Sequence, residues 1–387
     1  MKIKEVSAKS ILDSRKEKTI LVKIKTNVGE FSASSPTGKS TGKFEAKSYI
    51  KNIEHDIEII KKIGEYFSEE EIIKFEDLRK IEDTCENQIG ANTLFAFESA
   101  ILKAIAKEKK KEVWEILQDF SGKGKKFPRL VGNCIGGGKH SSSERKPDFQ
   151  EFLLIPEGKS VEKNFEKIKE KKKELKSVLE EADCKFEGKR NDEDAWVTSL
   201  NEKNVLEVLK KTDLPIGLDI AASGFYKRKK YDYQNPRIKR DEEEQFGYLC
   251  NLIKNFDLFY IEDPFDENDF ESFAKLLKKF PDRLIVGDDL TTTNLKRLQK
   301  AIKMKSINAI IVKPNQIGSL IEVGEVCKLA KENKIKIVFS HRSGETEETI
   351  LADLAFGFQA DFLKCGITGI VRESKIKRLI EIEKGFL

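Results

Sequence analysis

Six short apolar runs in the second half of this chain constrain its fold more than any other feature. They are LPIGLD, LFYIED, LIVGDD, INAIIVK, IKIVFSH and ADFLKCG, and amphipathic helical stretches alternate with them. That alternation is the pattern of βα units and a parallel sheet. Each run carries a polar residue at or near its C-terminal end: Asp219, Glu262, Asp288, Lys313, His341 and Lys364. From Glu262 onward these recur about every 25 residues, room for one strand, one helix and two short loops. In a (β/α)8 barrel the C-terminal strand ends converge on one mouth, where active sites are built. A carboxylate at one strand end can be no more than a helix N-cap. Six polar residues in successive units, acids first and then Lys, His and Lys, point to a shared site.

Their types suggest a chemistry. Three carboxylates with no histidine or cysteine partner form an oxygen-rich pocket suited to a hard divalent cation, Mg²⁺ by default. Beside a bound cation, Lys313 and Lys364 would have depressed pKa values, because a nearby positive charge disfavours the ammonium form. A neutral lysine is a competent general base. Metal and lysine together suit removal of a proton next to a carboxylate.

The 387 residues leave room for two domains. The first 120 or so open with short strands of β-branched alternation and continue as helical stretches, notably NTLFAFESAILKAIAKEKKKEVWEIL. SGKGKKF at 121–127 is a polar, glycine-containing linker. The expectation is an α/β protein: an α+β capping domain over residues 1–125 and a (β/α)8-type barrel over 126–387.

Composition narrows the partners. No run of about 18 apolar residues is present, and the N-terminus MKIKEVSAKS lacks the apolar core of a signal peptide. Six scattered cysteines without a C-x-x-C pair offer neither a disulfide frame nor a zinc site. They suit a reducing, cytoplasmic setting. The net charge of +5 is spread along the chain, and its densest run, KIKEKKKELK at 167–176, has the helical spacing of a solvated face. Neither a membrane nor a nucleic acid is expected as a partner.

The stretch PTGKSTG (36–42) ends like a phosphate-binding loop of nucleotide hydrolases. The first glycine of that pattern is replaced by Ala33, and Pro36 removes a backbone donor. The preceding residues read as two antiparallel strands around an Asn-Val-Gly-Glu turn, not as a strand feeding a helix. A nucleotide cradle is therefore not expected.

Longer motifs carry a family resemblance. SHRSGETEETILADL (340–354), IEDPFDENDF (261–270), VGDDLTTTN (286–294), IVKPNQIGSL (311–320) and IGLDIAASGFY (216–226) together resemble enolase, phosphopyruvate hydratase. ILDSR (11–15), GKSTGKFEA (38–46), IGANTLFAFESAILKAIAKE (89–108), GGGKH (136–140) and FQEFLLIP (149–156) extend the likeness over nearly the whole chain. The resemblance implies a barrel of the enolase kind and reversible dehydration of 2-phosphoglycerate to phosphoenolpyruvate. It implies that Asp219, Glu262 and Asp288 hold a first Mg²⁺, and that Ser40 chelates a second one when its loop closes on substrate. Lys313 would remove the C2 proton. Glu193, with Glu151 beside it, would protonate the departing C3 hydroxyl, and Lys364 would offset charge on the substrate carboxylate. Arg342 and Ser343 would grip the phosphate, with His341 near the leaving hydroxyl and His140 on a mobile loop. Gly38 and Gly42 would be hinges of the closing loop.

The chain also departs from the family pattern. Lys16-Glu17-Lys18 stands for Gly-Asn-Pro, Lys39 for alanine, and Asp194-Ala195 for two glycines, with Asn191 in place of a further glycine. Asp194 would raise the pKa of Glu193 if both carboxylates pointed into the site. Lys39 could contact the substrate phosphate or simply be solvated, and the solvated reading is the favoured one. GITGIVRESK is one residue short of the family's arginine-rich segment, and Leu21 replaces a glutamate of the usual dimer contact. A homodimer would have an altered interface. These changes leave two alternatives to the lyase reading: action on another carboxylic acid, or a binding or scaffold protein that has lost turnover.

Overall fold

The computed structural model describes residues 1–39, 42–67, 71–122, 124–141 and 143–386. The chain opens with an antiparallel sheet of β1 (Ile3–Leu12), β2 (Lys18–Thr26) and β3 (Gly29–Ser34), in that order. Alternation in β2 turns Ile20, Val22 and Ile24 inward and Lys23 and Lys25 outward. Gly29, at φ +137°, closes the β2–β3 turn with a backbone that side chains rarely adopt.

Helices α1 (Ile53–Ile63), α2 (Leu78–Cys85), α3 (Ala91–Lys109) and α4 (Val113–Ser121) follow. The long apolar stretch from residue 91 is two helices. It breaks at Lys110, whose backbone turns left-handed at φ 53°, and Glu112 and Glu115 restart it with a capping box. Helix α3 lies on β2 and β3 and buries Phe95, Phe97, Ile101 and Ile105. Each such side chain is worth roughly 1.5–3 kcal/mol of burial.

The rest of the chain is β4 (Arg129–Gly136), β5 (Glu151–Leu154), α5 (Val161–Ala182), β6 (Trp196–Val197), α6 (Glu202–Leu209) and β7 (Ile216–Asp219). A small sheet of β8 (Tyr226–Lys227), β9 (Lys230–Gln234) and β10 (Arg237–Arg240) precedes α7 (Glu242–Phe256). Four strand–helix units then run from β11 (Tyr260–Glu262) and α8 (Phe270–Lys279) to β12 (Leu284–Gly287) and α9 (Leu295–Met304). They continue through β13 (Ala309–Val312) and α10 (Leu320–Glu332) to β14 (Lys336–Ser340) and α11 (Ile350–Gly357). The chain ends with β15 (Phe362–Gly366) and α12 (Ile370–Lys384).

Strands β4, β5, β7 and β11 to β15 form a closed barrel, sealed by parallel pairing of β15 with β4. All six apolar runs are strands of it. Val131, Leu153, Tyr260, Val286, Ile311, Val338 and Phe362 pack inside as a dry floor.

One strand breaks the parallel pattern. β5 is antiparallel to both β4 and β7. Among the described residues a single 3-10 turn, Gly138–His140, and no α-helix lies between β4 and β5, and the chain returns alongside instead of crossing over. Its first residue, Glu151, therefore pairs with Asp219, the last residue of β7. The start of β5 thus shares the mouth with the ends of its neighbours.

The N-terminal part is stitched to that mouth. Thr37 exchanges backbone hydrogen bonds with Gly344 at 2.7 and 2.9 Å, and the Asn315 amide donates to the Pro36 carbonyl at 3.1 Å. Among the described residues no helix is long and apolar enough to cross a membrane.

Candidate active site

The barrel mouth opens into a cavity of about 220 Å³ lined by groups from nearly every strand end. Asp219 and Glu262 close their strands, Asp288, Lys313 and His341 follow theirs by one residue, and Lys364 lies within β15. All but Lys313 are buried.

The carboxylates of Asp219, Glu262 and Asp288 bring one oxygen each within 4.8 Å of one another. Burial and mutual repulsion raise the pKa of Asp219, and that of Glu262 well above the usual range. Asp288 goes the other way: burial would raise it, but the Lys313 ammonium bound to Oδ2 outweighs that and holds it low. Its other oxygen, Oδ1, is buried without a hydrogen-bond partner. The Tyr260 hydroxyl donates to Glu262 at 2.6 Å and fixes its rotamer from the barrel floor. Crowded buried oxygens with an orphaned acceptor form a donor set that fits a hard divalent cation.

The Lys364 ammonium lies 2.7 Å from Glu262, 3.1 Å from Asp219 and 3.2 Å from Glu151. Burial opposes its charge, yet these carboxylates raise its pKa well above the ordinary lysine value. Lys313 is raised too, because Asp288 outweighs burial. Within the protein's own charge set, both lysines are thus held as ammonium ions. The depression expected beside a cation is not a property of these side chains alone.

On the far side of Lys364 stands a second group. His140 Nδ1 lies 3.4 Å from Glu151 and 3.6 Å from Glu193, and His341 Nε2 lies 3.7 Å from Glu193. Burial first, and then the nearby Glu193 charge, raise the pKa of Glu151. The Asn133 amide donates to Glu193 at 2.9 Å.

At the rim, the Arg342 guanidinium meets Glu45 at 3.1 Å and Asn315 at 3.2 Å. Ser343 Oγ accepts the Lys39 backbone N–H at 2.7 Å. Glu193, Glu151, Lys313, His341, Lys364, His140, Arg342, Ser343, Asp219 and Asp288 all line the one cavity, and Glu262 sits against it through Lys364. Ser40 lies outside the described residues.

Two sequence readings change. Asp194 does not point into the site: it turns away to Lys172 at 3.2 Å, to Arg190 at 2.9 Å and to Thr368. It adopts φ 63°, a conformation natural to the glycine it replaces. Burial would raise its pKa, but Lys172 and Thr368 hold it low. Lys39 is exposed, as the favoured reading has it, and its ammonium also pairs with Asp192 at 3.2 Å across the mouth. Lys172, inside the lysine-rich run read as a solvated face, is buried.

Sequence reasoning also missed Glu45, Tyr260, Asn133 and Asp192. Only Tyr260 left a signal, being two residues before Glu262 and so on the same face of its strand.

A barrel protein with a buried carboxylate cluster at its mouth is the class this fold and site define. Residues 125–386 match the family description "Enolase, C-terminal TIM barrel domain", and residues 3–117 match "Enolase, N-terminal domain". An enolase of Methanosphaera stadtmanae is 36% identical over 100% of this chain and 97% of its own. That of Methanothermobacter thermautotrophicus is 34% identical over 99% and 96%, and that of Pyrobaculum aerophilum 40% identical over 67% and 64%. The chain belongs to the enolase family, and it is a carbon–oxygen lyase of the phosphopyruvate hydratase type.

Proposed function

We propose that this site interconverts 2-phosphoglycerate and phosphoenolpyruvate with Mg²⁺ as its metal. Asp219, Glu262 and Asp288 would hold the ion, which supplies positive charge against the substrate carboxylate. Lys313, as the neutral amine that a bound cation would favour over the ammonium, takes the C2 proton, the C3–O bond breaks, and the C2=C3 double bond forms. Glu193 gives its proton to the departing hydroxyl, which leaves as water. Glu151 and Lys364 hold the charge balance between these two groups, and Arg342 with Ser343 receives the phosphate at the rim. His140 and His341 border the leaving-group side.

The observation that carries this reading is the separation of base and acid. Lys313 stands against Asp288 and Glu193 against the two histidines, with Lys364 and its carboxylates between them. Proton removal and hydroxyl protonation then occur at different ends of one small substrate. A division of labour follows, in which residues 1–125 contribute the segment around Lys39 and residues 126–387 the reacting groups. We assign the second Mg²⁺ to the substrate and Ser40.

The test is an assay of purified protein with Mg²⁺ and 2-phosphoglycerate. Enol absorbance should grow, and it should vanish with EDTA and in Lys313→Ala. Wild-type protein that binds the metal yet shows no turnover would overturn the reading.

A further inference from the structure

Arg372, at the start of α12, is the largest side chain in the molecule to be fully buried, 1% exposed. Among the described residues it has no carboxylate partner. One guanidinium nitrogen, Nη1, meets His341 Nδ1 at 2.6 Å and donates to the Arg342 carbonyl. The other, Nη2, donates to the carbonyls of Ser343 at 2.6 Å and Asp192 at 3.2 Å. A single cation thus ties the strand end carrying His341, Arg342 and Ser343 to the loop carrying Glu193.

The contact with His341 has a chemical consequence. A guanidinium has five N–H donors and no acceptor, and it does not lose its proton in proteins. The ring nitrogen it faces must therefore present a lone pair. That leaves the only ring proton on Nε2, which faces Glu193 Oε2 at 3.7 Å.

We propose that Arg372 is a positioning residue that fixes His341 as the neutral Nε2–H tautomer, so that the ring offers the cavity a donor and never an acceptor. The charges facing the ring agree. Arg372 and Lys375 on α12, Lys364 on β15 and Lys313 after β13 all oppose its protonation, and among the described residues Glu193 is the one carboxylate within 4.0 Å of its ring nitrogens. Burial and those cations together hold the His341 pKa well below the ordinary imidazole value. Resting on the reading given above, the ring would then hydrogen-bond the departing hydroxyl through Nε2–H. It keeps its own proton, and the proton that leaves with water comes from Glu193. The same guanidinium, by holding the Asp192 carbonyl, keeps Glu193 in register with the ring.

The chain has three histidines, so nitrogen-15 NMR of histidine-labelled protein is simple to assign, with His341→Gln removing one set of signals. In the substrate-free wild type, Nδ1 of His341 should resonate as unprotonated and Nε2 as protonated, unchanged from about pH 5 to 9. A protonated Nδ1, in either the other tautomer or the imidazolium, would overturn the proposal. In Arg372→Met the ring should mix tautomers and titrate near the ordinary value of about 6.5. Its kcat should fall about 10- to 100-fold with KM little changed, and the kcat profile should gain an acidic limb. Retention of the wild-type spectrum and profile in that variant would also sink it. Arg372→Lys, which keeps a cation and a donor, should restore part of the tautomer preference. If Arg372→Met does not fold, the wild-type spectrum still decides, because it reads the tautomer directly. That spectrum needs no substrate, so a failure of the dehydration assay is a separate result.

Discussion

Lys172 is a buried ammonium on a helix whose other lysines are exposed or half-buried, and its partners explain why. It donates to the Asp194 carbonyl, the Asp194 carboxylate and the Thr368 hydroxyl. Burial pushes its pKa down, while Asp194 pulls the other way without restoring it. Together with Arg190 it lets an aspartate occupy a left-handed position next to Glu193. Left-handed backbone at a side-chain-bearing residue costs about 1–2 kcal/mol, which these charged hydrogen bonds offset. Removing one partner of a buried pair leaves the other uncompensated. Lys172→Met should therefore destabilise the protein by about 3 kcal/mol, read as a lower urea midpoint at unchanged slope. A midpoint equal to wild type would mean that Arg190 and Thr368 hold Asp194 without Lys172. Helical spacing puts Lys172 on the face of Phe165, Ile168, Leu175 and Leu179, but its partner, a loop 22 residues further along the chain, is not legible in that spacing.

At the scale of elements, the end of α5 is fastened by one carboxylate. Asp183 accepts from the hydroxyls of Thr198 at 2.6 Å and Ser199 at 2.6 Å, and from the Ser199 N–H at 2.7 Å. Burial would raise its pKa, but these donors and the Lys185 N–H win and lower it. A depressed folded pKa means that the stabilisation is present above the unfolded value of about 3.9 and is lost as pH falls through the folded one. Urea midpoints measured downward from about pH 5 should fall more steeply in wild type than in Asp183→Asn. Equal slopes would show that the carboxylate adds nothing in its ionised form. The βα rhythm of the second half was legible because the barrel strands are buried on both faces and most of their helices on one, with α11 buried throughout. The direction of β5 was not legible, since EFLL pairs as well either way. Among the described residues no α-helical crossover precedes it, and the antiparallel return placed Glu151 at the mouth by its N-terminal end.

For the whole molecule, folding gathers three acids at one point where they repel one another, and the pKa values of Asp219 and Glu262 rise while Lys313 holds Asp288 low. A divalent cation bound only by the folded state relieves that repulsion by mass action, by about 2.7 kcal/mol at a hundredfold excess over Kd. Mg²⁺ should raise Tm of the wild type, and Glu262→Gln should abolish most of that rise while raising Tm in the metal's absence. A Tm insensitive to Mg²⁺ would argue against the cluster as a metal site.

The sequence by itself determined the barrel and the residues at its strand ends, since strand period and helix length follow from local spacing. It also carried the family, through motifs whose residues are contiguous. Tertiary structure alone decided what the altered residues do. Asp194 faces Lys172 and not Glu193, Lys39 reaches Asp192, and Arg372 meets His341 from a helix 31 residues further along the chain. Side-chain direction and desolvation depend on neighbours distant in sequence. Charge at a position can be read from one line of letters, but its partner cannot.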